Sequence, residues 1–187
     1  MYLTIFSISL GAWLLFEIWV FLRDRGKDKG GAAAAEARRN ITVLAVAIAL
    51  AMNVPGIAPM LDVHSNFAVY FWAGIALVWA GMFLRLWALR LLGRFFSTRL
   101  VIQQDHELIT EGPYRLLRNP AYTGGLTTLL GLGLSLGNGL SLAVLLIAGL
   151  VVYVLRVKAE ERMLGQAFGA RYEEYKKRTW ALIPFVW

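Results

Sequence analysis

The chain contains no cysteine and only two histidines, His64 and His106. Without sulfur there is no disulfide framework and no Cys-ligated zinc or iron–sulfur site. Charge is scarce as well. Asp, Glu, Lys and Arg make up 17% of the 187 residues, where soluble domains average about 25%. A disordered chain would show the opposite balance, low hydrophobicity and high charge. Five prolines and eighteen glycines without a triplet period exclude collagen. There is no Walker motif and no Gly-x-Gly-x-x-Gly. The nearest approach, Gly131, Gly133 and Gly137, lies in an apolar run, where small residues serve close helix packing. What is abundant is apolar sequence, 58% of the chain, and positive charge, 19 Lys and Arg against 12 Asp and Glu. A nucleic-acid-binding domain would match the charge but not the apolar content. The composition is that of a small, all-α, polytopic membrane protein.

Runs long enough to cross a hydrocarbon core need about 20 apolar residues. Tyr2–Leu22 is one, interrupted only by Glu17. Ile41–Leu61 is a second, and Phe67–Leu92 is a third, with Arg85 and Arg90 near its end. Residues 121–156 are apolar but too long for one crossing. Gly137-Asn138-Gly139 is a strong turn signal and divides them into a hairpin of two short spans. Five transmembrane helices result. All 19 cations then fall on one side: six from Arg23 to Arg39, six from Arg85 to Arg118, seven from Arg156 to Arg178. The opposite side holds Asp62, His64 and the Gly-Asn-Gly turn. By the positive-inside rule the N-terminus is outside and the C-terminus cytoplasmic. Because charge follows the first span rather than preceding it, that span reads as retained and not as a cleaved signal. The expected location is a prokaryotic cytoplasmic membrane, with the active region facing the cytoplasm. The two histidines fall on opposite faces, so they form no shared metal site.

Polar sequence concentrates after residue 93. This divides the chain into three N-terminal spans with a basic loop at 23–40 (residues 1–92) and a candidate catalytic region (residues 93–187). The latter comprises a connector at 93–120, the hairpin at 121–156 and a helix with tail at 157–187. In the connector, residues 99–110 read as extended and Glu111-Gly112-Pro113 as a turn. Pro113 suits the first position of a short helix carrying Tyr114, Arg115 and Arg118. That helix should stop near Asn119, since the residue before Pro120 is pushed out of the α region. Backbone groups freed at this break need polar partners. Past the hairpin, Arg156 and Glu160 are four apart and share a helix face, while Glu161 is rotated toward another. Phe168-Gly169 marks the helix end. A short basic helix over Arg171–Thr179 follows, and the aromatic segment Trp180–Trp187 is expected on the bilayer. Glu17 either pairs with Arg85 or points into a cavity, and pairing is the simpler reading.

Two motifs in order, His106-Glu107-Leu108-Ile109-Thr110-Glu111-Gly112-Pro113-Tyr114 with Arg118-Asn119-Pro120-Ala121-Tyr122-Thr123-Gly124, resemble the cofactor segment of the isoprenylcysteine carboxyl methyltransferase family. The tail is similar too: Arg156, Glu160-Glu161, Leu164, Phe168-Gly169, Tyr172, Tyr175-Lys176-Lys177-Arg178 and Ile183-Pro184-Phe185. The resemblance covers roughly the last 95 residues; the first three spans match only in being apolar. Membrane phospholipid methyltransferases share a looser version of the pattern.

The resemblance implies an integral membrane enzyme that uses S-adenosylmethionine without a Rossmann domain. It implies that His106, Leu108, Gly112, Tyr114, Arg118, Asn119 and Tyr122 line the cofactor pocket, with Glu160 beside them. Arg156 and Glu161 would form the pair at the reacting centre. Asn119 stands where family enzymes acting on prenylcysteine usually carry His; it donates and accepts hydrogen bonds but carries no proton. Chemically, Arg118 suits a carboxylate, and Tyr114 and Tyr122 can flank an adenine. The expected substrate is a lipophilic or lipidated carboxylate entering from the bilayer. Two alternatives are a phospholipid amine N-methyltransferase and a non-catalytic scaffold binding anionic lipid.

Overall fold

The computed structural model describes residues 1–24, 31–57, 66–93 and 108–187. Among them the chain is helical, in the order α1 (Tyr2–Asp24), α2 (Gly31–Ile57), α3 (Phe67–Leu92), α4 (Pro120–Ser135), α5 (Gly139–Phe168) and α6 (Ala170–Lys177). Tyr2–Val20 of α1, Phe67–Leu92 and Gly139–Phe168 are long and apolar enough to cross a membrane. The apolar part of α2 is shorter, Thr42–Val54. α4 has 16 residues, about 24 Å at the rise of an α-helix. Large apolar side chains such as Ile8, Leu15, Trp79, Phe83, Ile147 and Leu155 remain exposed around the outside, as expected where lipid is the solvent. The protein is therefore an integral membrane protein.

The turn between α4 and α5 forms where the Gly-Asn-Gly signal lies. Gly137 takes φ +65°, a region open to glycine at no cost. The Asn138 side chain accepts hydrogen bonds from the amides of Leu140 (3.0 Å) and Ser141 (3.1 Å), capping α5. At the other end Gly169 adopts φ +53°, and its amide bonds to the Gly165 carbonyl at 2.9 Å. The residues therefore set both ends of α5 locally.

Among the described residues, α3 and α4 pack backbone against backbone. A Cβ built on Gly131 would lie 2.5 Å from the Gly74 carbonyl oxygen, and one on Gly124 would lie 2.6 Å from that of Gly81. Both glycine pairs are seven residues apart on their helices, so two turns of backbone meet directly. In lipid there is no hydrophobic drive between helices, and close van der Waals approach takes its place. Thr128 and Ser135 lie along this seam and return their hydroxyls to the carbonyls of Gly124 (3.0 Å) and Gly131 (2.8 Å). Gly133 faces Leu142 of α5 in the same way. The sequence assigned Gly131, Gly133 and Gly137 to packing; the partners of Gly131 on α3 are additional, and Gly137 serves the turn.

α1 is tied to α3 by Glu17 and Arg85, 2.6 Å apart. The pairing reading of these two intramembrane charges is thus the observed one. α2 joins α5 through the Ser141 hydroxyl, which donates to the Ala51 carbonyl at 2.8 Å. Two expectations change. The connector helix is a single 3-10 turn, Gly112–Arg115, so Arg118 and Asn119 lie beyond it in irregular, non-helical chain. The Arg118 amide there bonds to the Trp180 carbonyl of the tail instead of to a carbonyl of its own helix. The tail also does not simply lie on the bilayer. Ala181 and Leu182 are buried in the core, and only Ile183, Phe185, Val186 and Trp187 stay exposed. Asp62, His64 and the extended segment through residue 107 fall outside the described residues.

The seam makes a stability prediction. Gly131→Val should lower the stability of the detergent-solubilised protein by about 1–3 kcal/mol, the usual cost of overpacking. Gly11→Ala, at a position with nothing within 4 Å of a built Cβ, should be neutral or slightly stabilising. Equal melting temperatures for the two variants would refute the role given to the seam.

Candidate active site

The N-terminus of α4 is held by the C-terminal segment. Leu117 and Trp180 form an isolated parallel bridge. The Arg118 amide bonds to the Trp180 carbonyl at 2.7 Å, and the Trp180 amide bonds to that of Leu116 at 3.0 Å. Asn119 Nδ2 donates to the Ala181 carbonyl (3.1 Å), and Thr123 Oγ1 donates to that of Leu182 (2.7 Å). The helix break at Asn119-Pro120 thus finds its polar partners in the tail rather than in solvent.

Inside this brace lies a buried polar cluster. Arg118 Nε donates to Glu161 Oε1 at 2.7 Å. Its Nη1 donates to the Lys176 carbonyl at 3.2 Å and to the Thr179 carbonyl. The Tyr122 hydroxyl donates to Glu160 Oε2 at 2.7 Å and accepts from Arg156 Nε at 3.1 Å. Arg156 is itself buried, at 6% exposure. Arg156 and Glu160 do share a face, but they meet through a tyrosine from α4. Glu161, expected beside Arg156, turns instead to Arg118. The two neighbouring glutamates therefore tie α5 to the start of α4 at two points.

The structure brings together Arg118, Asn119, Tyr122, Arg156, Glu160 and Glu161. Tyr114 is buried close by; its hydroxyl reaches the Ala88 carbonyl at 3.4 Å. Gly112 sits at φ +54° against Leu91 and Trp87, and Leu108 is half-buried. His106 lies outside the described residues.

Four residues of the site were given no role from the sequence, although Thr123, Tyr172 and Tyr175 lie in the quoted motifs. Thr123 and Thr179 fasten α4 and the end of α6, and Tyr175 donates to the Tyr114 carbonyl at 2.7 Å. Tyr172 is 1% exposed, and its hydroxyl has no hydrogen-bond partner among the described residues. The three-residue spacing of Tyr172 and Tyr175 puts both on one face of α6 and was the available signal. Burial raises the ionisation point of all three phenols. The charge of Glu160 adds to the effect at Tyr114 and that of Glu161 at Tyr172, while Arg118 opposes it at Tyr175. They remain neutral donors at physiological pH.

The polar cluster at one end of the helical hairpin, in an otherwise apolar helical protein, is the candidate site. The sequence matches the family described as phospholipid methyltransferase over residues 69–171. It is 31% identical over 187 residues to a probable protein-S-isoprenylcysteine O-methyltransferase of rice, covering 94% of this chain and 96% of that one. It is 36% identical over 112 residues to the cobalt-zinc-cadmium resistance protein CzcN of Cupriavidus metallidurans, covering 59% and 46%. A solved eukaryotic intramembrane Ras methyltransferase, an isoprenylcysteine carboxyl methyltransferase, superposes with a TM-score of 0.64 at 26% identity. That match covers 78% of this chain and 52% of the solved one.

The chain belongs to the isoprenylcysteine carboxyl methyltransferase family of integral membrane methyltransferases. The relationship extends further than the last 95 residues, since the rice match includes most of the chain. The family match at 69–171 also begins in α3, the helix that supplies the glycine seam.

Removing one partner of a buried ion pair costs about 3–5 kcal/mol, because the other charge is left uncompensated. Arg118→Met and Glu161→Gln should each destabilise on that scale and speed protease cleavage within 170–187. The double variant should lose clearly less than the sum. Strictly additive losses in detergent unfolding would show that the pair is not a unit.

Proposed function

We propose that the protein transfers a methyl group from S-adenosylmethionine to the carboxylate of a lipophilic acceptor of the isoprenylcysteine kind. The observation that carries this reading is the meeting of two separate motifs in one buried cluster. Arg118 joins Glu161, and Tyr122 joins both Arg156 and Glu160. The cluster keeps donor capacity: Arg118 Nη2 and the Tyr172 hydroxyl make no hydrogen bond among the described residues. A polar, acceptor-rich cofactor fits such a set.

When bound, S-adenosylmethionine supplies an electrophilic methyl group on a sulfonium cation. His106, Leu108, Gly112, Tyr114, Arg118, Asn119, Tyr122 and Glu160 are the residues proposed to hold it. Arg156 is the residue proposed to orient the acceptor. Its Nε is fixed on Tyr122, which sets the plane of a guanidinium suited to a carboxylate. Glu161 serves this centre by holding Arg118. The brace of residues 180–182 over α4 excludes water, which strengthens the electrostatic contacts within. In-line methyl transfer depends chiefly on alignment.

A carboxylate acceptor arrives deprotonated and needs no base. An amine acceptor would have to lose a proton; the buried phenols of Tyr114, Tyr172 and Tyr175 are held neutral, which leaves only Glu160, Glu161 or His106 as the base, the two glutamates being engaged by Tyr122 and Arg118. This favours the carboxylate over the phospholipid amine.

The topology belongs to the same proposal. α2 and α4 add two short crossings to the three long ones, which makes five. All cations then face the cytoplasm together with the site, and the chemistry lies within residues 93–187. The relatives named as isoprenylcysteine methyltransferases include proteins of rice and Schizosaccharomyces pombe, and the prokaryotic host expected from the sequence gains no support from them.

The purified protein, given labelled cofactor and an N-blocked prenylcysteine, should form a base-labile methyl ester. Base-stable methylamine in the lipid fraction would point to the amine reaction instead. Arg156→Ala should lower turnover about 100-fold or more, as loss of a charged contact to the reacting group does, with cofactor affinity retained. Full activity in this variant would remove Arg156 from the centre.

A further inference from the structure

Tyr172 presents an imbalance. Its ring packs beside Tyr175, with centroids 6.1 Å apart, and its edge approaches the site where a Cβ on Gly165 would lie, at 3.9 Å. The side chain is sealed at 1% exposure, yet its hydroxyl is unpartnered. A buried hydroxyl without a bond is unfavourable, whereas phenylalanine fills the same shape without that penalty. The hydroxyl must therefore be explained by something other than folding.

Its surroundings narrow the explanation. One turn further along the same helix, Lys176 gives its carbonyl to Arg118 Nη1 at 3.2 Å, so α6 carries Tyr172 beside the cluster. Arg118 uses Nε and Nη1 internally and leaves Nη2 unspent among the described residues. A cationic donor at the half-buried Arg118 and a neutral, buried one on Tyr172 are therefore left without a partner among the described residues. Glu161 already balances Arg118, and Glu160 is engaged by Tyr122. What the cluster lacks is an acceptor, and an anionic one suits a guanidinium best.

We infer that Tyr172 is a cofactor-binding residue whose hydroxyl donates a hydrogen bond to the amino-acid carboxylate of the methyl donor, alongside Arg118. This rests on the proposed use of S-adenosylmethionine and assigns one of its ends. α6 thereby reports to the site: the helix that Arg118 holds by its backbone returns a donor to the ligand.

The test uses Tyr172→Phe in the full-length protein in detergent, with two ligands measured by calorimetry. S-adenosylhomocysteine carries the amino-acid end; 5′-methylthioadenosine lacks it. The variant should bind S-adenosylhomocysteine about tenfold more weakly, the loss expected of a hydrogen bond to a charged acceptor. Its affinity for 5′-methylthioadenosine should be unchanged. Without ligand it should melt at or above the wild-type temperature, because it no longer buries an unsatisfied hydroxyl. Equal loss for both ligands, or no loss for either, would overturn the assignment. A lower melting temperature without ligand would also overturn it, by showing an internal partner. If the wild type binds neither ligand, the methyl-donor reading falls and this inference with it.

Discussion

Arg118 draws three distant parts of the chain onto one guanidinium. Nε takes the carboxylate of Glu161 from α5, and Nη1 takes two carbonyls from the end of α6 and the chain just past it. Its own backbone pairs with Trp180. Beside it, Tyr122 joins the start of α4 to Glu160 and Arg156 of α5, and Asn119 and Thr123 join it to the tail. A cation buried this deeply is tolerable only because its partners are already in place. The pocket region, the break before Pro120 and the course of the tail all depend on it.

The rest of the bundle supplies a rigid base for this tie. Along α3 and α4, backbone rather than side chain makes the contact, so neither helix can shift without collision. Above the seam, Glu17 and Arg85 neutralise each other at 2.6 Å. A Cβ at Gly125 would strike the Tyr153 hydroxyl, and Tyr153 in turn lies against Tyr122 with rings 5.5 Å apart. Small residues on α4 thus leave room for the aromatic layer on which the Tyr122–Arg156–Glu160 contact rests.

Much of the fold was legible because its determinants are local. Glycine and asparagine at 137–139 mark the hairpin turn, Gly169 marks the end of α5, and apolar length marks the long helices. The intramembrane pair was legible for a different reason: two lone charges in lipid have few partners other than each other. The motif residues Arg118, Asn119, Tyr122, Arg156, Glu160 and Glu161 did converge. Their pairing was not legible, because whether Glu160 or Glu161 faces a given partner depends on helix rotation in the packed bundle. The tail was misplaced for a related reason. Backbone carbonyls of Thr179, Ala181 and Leu182 are its main contacts, and no side-chain pattern announces a backbone acceptor. The partners of Gly131 and Gly124 on α3 are long-range and equally silent in sequence.

That choice of backbone acceptors has a consequence for how the tail can change. Arg118 and Asn119 grip atoms that every residue possesses, so the hold does not read side-chain identity. Lys177 and Arg178 point outward and are released from any duty in closing the site. The outer face of this segment is accordingly open to divergence among related proteins, while its path over α4 stays constant.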